Sequence, residues 1–265
     1  MELKNNLFCM DNLELMKQIP DNYIDLIYCD ILYNTGRKFK DYDDNLGSTT
    51  DAIEWYKPRL IEMKRVLKDT GNIYLHMDYR LVHYMKVEMD RVFNEKNFRN
   101  EIIWSYRTGG VSKKYFQKKH DNILRYSKTG EYTHNPLFEK SYMESSGFVN
   151  ANTESESSKK LGLERDEIGV YRNVHMRDVW DVNIIYNQDK QAVGYFSQKP
   201  KALLERIIKA SSNEGDIVAD FFMGSGTTIA VAKELNRNYI GCDINPDSIR
   251  ITEERLDKIT NQILK

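Results

Sequence analysis

The sequence predicts an α/β fold built on a doubly wound, mostly parallel sheet, and three stretches predict it. The first, Asp25 to Gly36, opens with the apolar run Leu26-Ile27-Tyr28-Cys29, ends that run in Asp30 and places Tyr33 three residues on. Such a run suits a strand buried on both faces of a parallel sheet. The second, Ile217-Val218-Ala219-Asp220, leads into Phe221, Phe222, Met223, Gly224, Ser225, Gly226, Thr227 and Thr228, and then a helical stretch from Ile229 to Leu235. A strand, a glycine-rich turn and a helix let the backbone approach a ligand closely and offer it free N–H groups. The turn is not the dinucleotide pattern G-x-G-x-x-G, and it lacks the Lys of a P-loop. The third, Tyr239-Ile240-Gly241-Cys242-Asp243, ends in an acid one βα unit later. Doubly wound nucleotide-binding sheets hold ribose hydroxyls with an acid at that place, and their ligands lie beyond the carboxyl ends of strands. Asp30 and Tyr33 therefore suit a flat, hydrogen-bonding substrate. A strand closing in an Asp turn fits the same residues.

The remaining elements follow in order. Leu7 to Asp11 reads as a short strand ending in an acid, followed by a helix from Leu13 to Gln18 that stops before Pro20. Gly36 to Thr50 has little apolar content and reads as a mobile loop, with Phe39 and Tyr42 available to pack. Helical periodicity resumes at Ile53, Tyr56, Leu60, Met63, Val66 and Leu67, and Pro58 makes that helix begin or kink there. Asp69-Thr70-Gly71 is a turn, Asn72 to His76 a strand, and Leu81 to Phe93 a helix. Glu101 to Trp104 and Asn122 to Tyr126 read as two further strands. Residues 130–195 form an insertion: Tyr142 to Lys160 is Ser-, Glu- and Asn-rich and reads as loop or disorder, and Val170-Tyr171-Arg172 and Arg177 to Val182 as short strands. Regularity returns with Gln198-Lys199-Pro200, an amphipathic helix through Leu203, Leu204, Ile207 and Ile208, and a last helix from Ser248 to Ile263.

The 265 residues suffice for one large α/β domain with an insertion, and 40% hydrophobic with 30% charged residues is an ordinary soluble composition. No apolar stretch reaches membrane-spanning length, and the first residues lack the regions of a signal peptide, so a cytoplasmic chain is expected. Cys9, Cys29 and Cys242 lack metal-type spacing and read as small buried residues; the histidines give no metal site either. A formal net charge of −1 does not point to a general nucleic-acid coat. Locally, Arg99 to Lys128 carries eight basic residues against two acids, with Tyr106, Tyr115, Phe116 and Tyr126 interleaved. Arg107, Lys113, Lys114, Lys118 and Lys119 there suit phosphate contacts, and a solvated basic loop is the plain alternative.

Taken together the chain resembles the β-class S-adenosylmethionine-dependent DNA amino-methyltransferases, which methylate adenine at its exocyclic nitrogen. Asp30-Ile31-Leu32-Tyr33 matches their Asp-Pro-Pro-Tyr motif, Phe222-Met223-Gly224-Ser225-Gly226 their Phe-x-Gly-x-Gly motif, and Gln198-Lys199-Pro200 their Gln-Lys-Pro element. The β-class order, catalytic motif first, is kept. The resemblance implies a seven-stranded, circularly permuted Rossmann-like methyltransferase sheet over residues 1–129 and 196–265, with target recognition in 130–195. It implies S-adenosylmethionine as cofactor, held by Asp11 at its adenine amino group, Phe222 on its ring, Asp243 at the ribose, and Lys199, Gly224 and Gly226 at the methionine end. Asp30, Asp220, Ser225 and Thr227 complete the expected cofactor set. Double-stranded DNA is the implied partner, with Arg172 and Arg177 of the insertion among its contacts; a cognate restriction endonuclease and a homodimer are further expectations.

The chemistry asks for two acceptors, because an adenine amino nitrogen delocalises its lone pair into the ring. Asp30 supplies one and the Ile31 carbonyl the other, while Tyr33 stacks on the extruded base. An Asp, not a Ser, at position 30 favours adenine over a cytosine amino group, and argues against a protein amide. The prolines of the family motif are replaced by Ile31 and Leu32, and Phe221 stands where a proline is common. Activity is expected to persist, since both chemical groups remain. A catalytically silent, DNA-binding relative is the alternative.

Overall fold

The computed structural model describes residues 2–110 and 112–263. In chain order the strands are β1 (Asn6–Cys9), β2 (Ile24–Asp30), β3 (Arg37–Lys38), β4 (Asp43–Asp44), β5 (Leu67–Met77), β6 (Phe98–Ser105), β7 (His120–Ser127), β8 (Phe138–Tyr142), β9 (Leu163–Arg165), β10 (Val170–His175), β11 (Val179–Asp181), β12 (Ile217–Asp220) and β13 (Asn238–Asp243). The helices are α1 (Asn12–Met16), α2 (Thr49–Val66), α3 (Val82–Phe93), α4 (Ser146–Val149), α5 (Glu156–Lys160), α6 (Lys201–Ser211), α7 (Thr227–Glu234) and α8 (Pro246–Ile263). Two compact units result, one of residues 2–135 and 178–263, the other of Pro136–Arg177.

The larger unit is organised by an eight-stranded sheet in the order β1-β13-β12-β2-β5-β7-β6-β11. The first five are parallel and β7 is antiparallel to both its neighbours. The first strand of the chain lies beside the last, with Asn6 opposite Ile240. The eighth strand, absent from the seven-strand expectation, is β11, which adds in parallel to the β6 edge. Alternation along the strands divides the core. Ile27, Cys29, Ile73, Leu75 and Met77 join the buried cluster with α1, α2 and α3, whereas Tyr74 points the other way and meets Ser211 of α6 at 2.7 Å.

Three elements differ from their sequence reading. The helix expected to begin or kink at Pro58 runs unbroken from Thr49, because Ser48 and Asp51 form a reciprocal capping box. Pro58 is exposed, so the carbonyl left without its partner faces water. The Asp69-Thr70-Gly71 turn lies inside β5, where the pairing shifts from Ile24–Leu67 to Leu26–Asn72. The loop expected from Gly36 contains the β3–β4 hairpin, held by buried Asp44, which accepts from Asn34 N and Thr35 N at 3.0 Å each.

The smaller unit is a three-stranded antiparallel sheet, β8-β10-β9, with α4 and α5 in the stretch read as loop or disorder. Lys140 and Tyr142 converge on Asp166 at 2.6 and 2.9 Å, and Tyr171 donates to Glu164 at 2.8 Å. Compactness confines it to Pro136–Arg177, narrower than 130–195. Residues 178–195 belong to the larger unit because β11 pairs with its sheet.

Candidate active site

Because β1, β13, β12 and β2 are consecutive in the sheet, the acids at or just past their carboxyl ends stand in a row: Asp11, Asp243, Asp220 and Asp30. All four line one cavity of about 530 Å³, together with Ile31, Tyr33, Lys199, Phe222, Gly224, Ser225 and Thr227. The Asp30–Tyr33 stretch and the glycine-rich stretch, distant in sequence, thus meet in one space.

The glycine turn shows why glycine stands there. Gly224 and Gly226 have φ of +51° and +70°, a region that L side chains rarely adopt. Gly226 does not line the cavity; a Cβ on it would collide with Thr252 of α8, so its role is to let the turn pack. Gly224 N donates to Asp243 Oδ2 at 2.8 Å, and Asn245 N to Asp243 Oδ1 at 2.9 Å. Burial raises the Asp243 carboxyl above its ordinary value. Asp220 is held tighter still: Phe222 N donates to Oδ1 at 3.0 Å and Thr228 Oγ1 to Oδ2 at 2.6 Å. Burial, with repulsion from Asp30 and Asp243, pushes its carboxyl up to about 7.

Asp11 is the N-cap of α1, accepting from Leu13 N at 2.8 Å through Oδ1. Its Oδ2 accepts from Arg59 Nη2 at 2.8 Å. The Arg59 guanidinium also donates to Asn12 Oδ1 and lies 3.4 Å from the centre of the Trp55 ring. Trp55 meets Phe222 edge-on at 6.1 Å, so two aromatic rings face the cavity beside Asp11.

At the other end, Asp30 Oδ1 accepts the Tyr33 hydroxyl at 2.8 Å and Oδ2 accepts from Lys199 Nζ. Lys199, which the resemblance implies at the methionine end of the cofactor, is ion-paired to Asp30. Burial, and the charges of Asp30 and Asp121, push the Tyr33 phenol well above its ordinary value, so it remains a donor. Ile31, in the place of a proline, is 3% exposed and its N–H donates to His76 O at 3.1 Å. A proline lacks that donor. That backbone hydrogen bond and burial hold Ile31 in place. The next carbonyl, Leu32 O, is already taken by Tyr56 at 3.0 Å.

Of the basic side chains expected to meet DNA, Arg107, Lys113, Lys114 and Lys118 are exposed on the segment between β6 and β7. Lys119 is turned inward and donates to Thr108 O at 3.0 Å and Gly109 O at 2.8 Å, so its charge is used within the segment. Arg172 and Arg177 are exposed on the smaller unit, and Arg177 pairs with Glu139 at 2.7 Å.

Sequence reasoning did not single out Arg59, Trp55, Asp121 or Arg255. Arg255 of α8 is buried and donates to Ser225 O at 2.7 Å and Thr227 Oγ1 at 3.1 Å, bracing the glycine turn. Burial pushes its guanidinium down to about 10. None of these lies in a motif; each reaches the site from another element.

Residues 24–254 match the family model N6_N4_Mtase, described as DNA methylase. The chain is 34% identical to the type II methyltransferase M.HpaI of Haemophilus parainfluenzae, over 98% of this chain and 76% of that one. It is 32% identical to the DNA adenine methyltransferase YhdJ of Escherichia coli K12, over 93% and 81%. Among solved structures it resembles the PvuII DNA methyltransferase, cytosine-N4-specific, with TM-score 0.66, 16% identity and 97% and 90% coverage. It also resembles a DNA modification methylase of Thermus thermophilus complexed with S-adenosyl-L-methionine, with TM-score 0.63, 17% identity and 96% and 94% coverage.

Proposed function

Because the chain belongs to the N6_N4_Mtase family of DNA methylases, and is a DNA methyltransferase on that ground, we propose that it transfers the methyl group of S-adenosylmethionine to the exocyclic amino nitrogen of adenine in double-stranded DNA. The observation that carries this reading is the placement of Asp30, Ile31 and Tyr33 in the same cavity as the glycine turn. The adenine named for the YhdJ relative supports the choice of base. A cytosine amino group, the substrate named for the PvuII neighbour, is the second reading, and the Asp at position 30 speaks against it.

The residues fit the cofactor. Asp11 and Asp243 suit amino and hydroxyl groups, and Trp55 and Phe222 suit a flat ring. Asp243 would hold the ribose hydroxyls, Asp11 the adenine amino group, and Gly224, Ser225 and Thr227 the methionine end. When bound, the cofactor supplies an electrophilic methyl group. Asp30 accepts one N–H of the extruded base and the Ile31 carbonyl the other, which returns electron density to the nitrogen and stabilises the charge that develops there. The Tyr33 ring stacks on the base and holds the nitrogen in line. The exposed lysines near Tyr115 and Phe116 contact phosphates, and the smaller unit, with Arg172 and Arg177, reads the sequence. A cytoplasmic location and a cognate restriction endonuclease belong to the same reading, the latter supported by the type II relatives.

The Ile31 N–H bond to His76 O holds the backbone where the family motif has proline, which supports an active enzyme over a silent subunit. Asp30→Ala is expected to abolish transfer of labelled methyl groups to unmethylated genomic DNA while leaving cofactor and DNA binding in place. Undiminished transfer by that variant would refute the reading.

A further inference from the structure

Asp121, the second residue of β7, lies outside every motif, is 7% exposed, and is the meeting point of three side chains. Tyr33 Oη approaches its Oδ2 at 3.2 Å and Tyr106 Oη donates to its Oδ1 at 3.0 Å. His76 Nε2 stands 3.4 Å from Oδ2. That nitrogen is one of two buried side-chain polar atoms among the described residues without a hydrogen bond, so it leans on Asp121 without closing one. The Nδ1 of the same ring meets the Tyr28 hydroxyl at 2.7 Å. With Tyr28 donating, Nε2 keeps its proton and turns it toward Asp121. Burial works against the Asp121 charge, yet the His76 ring beside it, the charge of Lys199 and the bond from Tyr106 hold the carboxyl below its ordinary value. Asp121 is therefore an ionised acceptor.

The Tyr33 hydroxyl has one proton and faces two carboxylates, Asp30 Oδ1 at 2.8 Å and Asp121 Oδ2 at 3.2 Å. It satisfies one at a time. In the structure it satisfies Asp30, whose other oxygen is taken by Lys199. Both oxygens of Asp30, one of which the incoming amino group needs, are thus occupied. We propose that Asp121 is a positioning residue: it takes over the Tyr33 hydroxyl when the base enters, which releases Asp30 Oδ1 to the amino group and pins the Tyr33 ring against the base. The hand-off costs little, because the donor exchanges one carboxylate for another a few tenths of an ångström farther away. Without Asp121 the hydroxyl has no second acceptor and stays on Asp30.

The inference rests on the reading of Asp30 as the acceptor, and the experiment separates the two. Single-turnover methyl transfer is measured for the wild type, Asp121→Asn, Tyr33→Phe and the double variant, with cofactor affinity measured alongside to confirm folding. Asp121→Asn, which leaves only a weaker, neutral acceptor for the hydroxyl, is expected to slow transfer about tenfold, the scale of one well-placed hydrogen bond, with cofactor affinity unchanged. In the Tyr33→Phe background, where no hydroxyl remains to be handed over, the same substitution is expected to cost nothing more. An equal cost in both backgrounds would overturn the proposal, since a side chain that only braces β7 would matter with or without the hydroxyl. Should Asp121→Asn not fold, Asp121→Glu is taken through the same two backgrounds with the same criterion. If Asp30→Ala retains transfer, the functional reading fails; if Asp30→Ala is inactive and the two substitutions are additive, only the hand-off fails.

Discussion

At the scale of single residues, the site is a problem of four carboxylates sharing one cavity. Each meets it differently: Asp30 pairs with Lys199, Asp11 with Arg59, Asp243 accepts backbone N–H groups, and Asp220 holds its proton near neutrality. The last has a measurable consequence. The folded-state value of Asp220, about 7, lies above its ordinary 3.8, so the folded protein binds this proton more tightly than the unfolded chain. The stability that follows is fully present below about pH 4 and is lost as pH rises through 7, a change on the order of 4 kcal/mol. Asp220→Asn removes it. The melting temperature of the wild type should therefore fall relative to that of Asp220→Asn between pH 4.5 and 8. A gap that does not change with pH would show that Asp220 is already ionised in the fold. Asp30, Tyr33 and Asp220 were legible in the sequence because each sits at a strand end with a motif around it. Asp121 and Arg59 were not, since their partners lie 88 and 48 residues away and nothing local marks them.

At the scale of elements, what decides the site is the way helices brace turns. The glycine turn is read from its own residues, but its support comes from α8, whose Arg255 donates to Ser225 O and Thr227 Oγ1. A buried carbonyl that loses a charged donor costs about 1–3 kcal/mol. Arg255→Ala is expected to lower stability by that amount and to weaken cofactor binding several-fold, as followed by calorimetric titration, while DNA binding holds. Unchanged cofactor affinity would mean that the turn keeps its shape alone. The same logic explains which elements the sequence displaced. Pro58 is a strong local signal, yet the Ser48–Asp51 box starts α2 nine residues earlier and solvent exposure makes the proline tolerable. Gly71 reads as a turn, yet the pairing of β2 with β5 on both sides of it carries the strand through. A local cap and solvent exposure in the first case, and strand pairing in the second, override a residue whose local preference is correct. The strands around Asp30, Asp220 and Asp243 had no such conflict, and apolar runs buried on both faces identified them.

At the scale of the whole molecule, the formal charge of −1 leaves DNA attraction to local arrangement. The basic stretch was evident from composition, but composition cannot tell which of its charges are available. The fold sorts them: Lys113, Lys114 and Lys118 are exposed, whereas the ammonium of Lys119 is bonded to Thr108 and Gly109. Each phosphate neutralised contributes about 0.9 to the slope of log affinity against log salt. Replacing Lys113, Lys114 and Lys118 together by Gln is therefore expected to flatten that slope by about 3. Lys119→Gln should leave it nearly unchanged, lowering affinity only as far as the segment loosens. Fluorescence anisotropy of labelled duplex DNA, titrated with each variant between about 50 and 200 mM salt, reads both slopes. The two variants make opposite demands on one short segment. If Lys119→Gln flattens the slope as much per charge as the triple variant does, the ammonium leaves its internal partners for phosphate on binding, and the segment reorganises around DNA instead of receiving it as it stands.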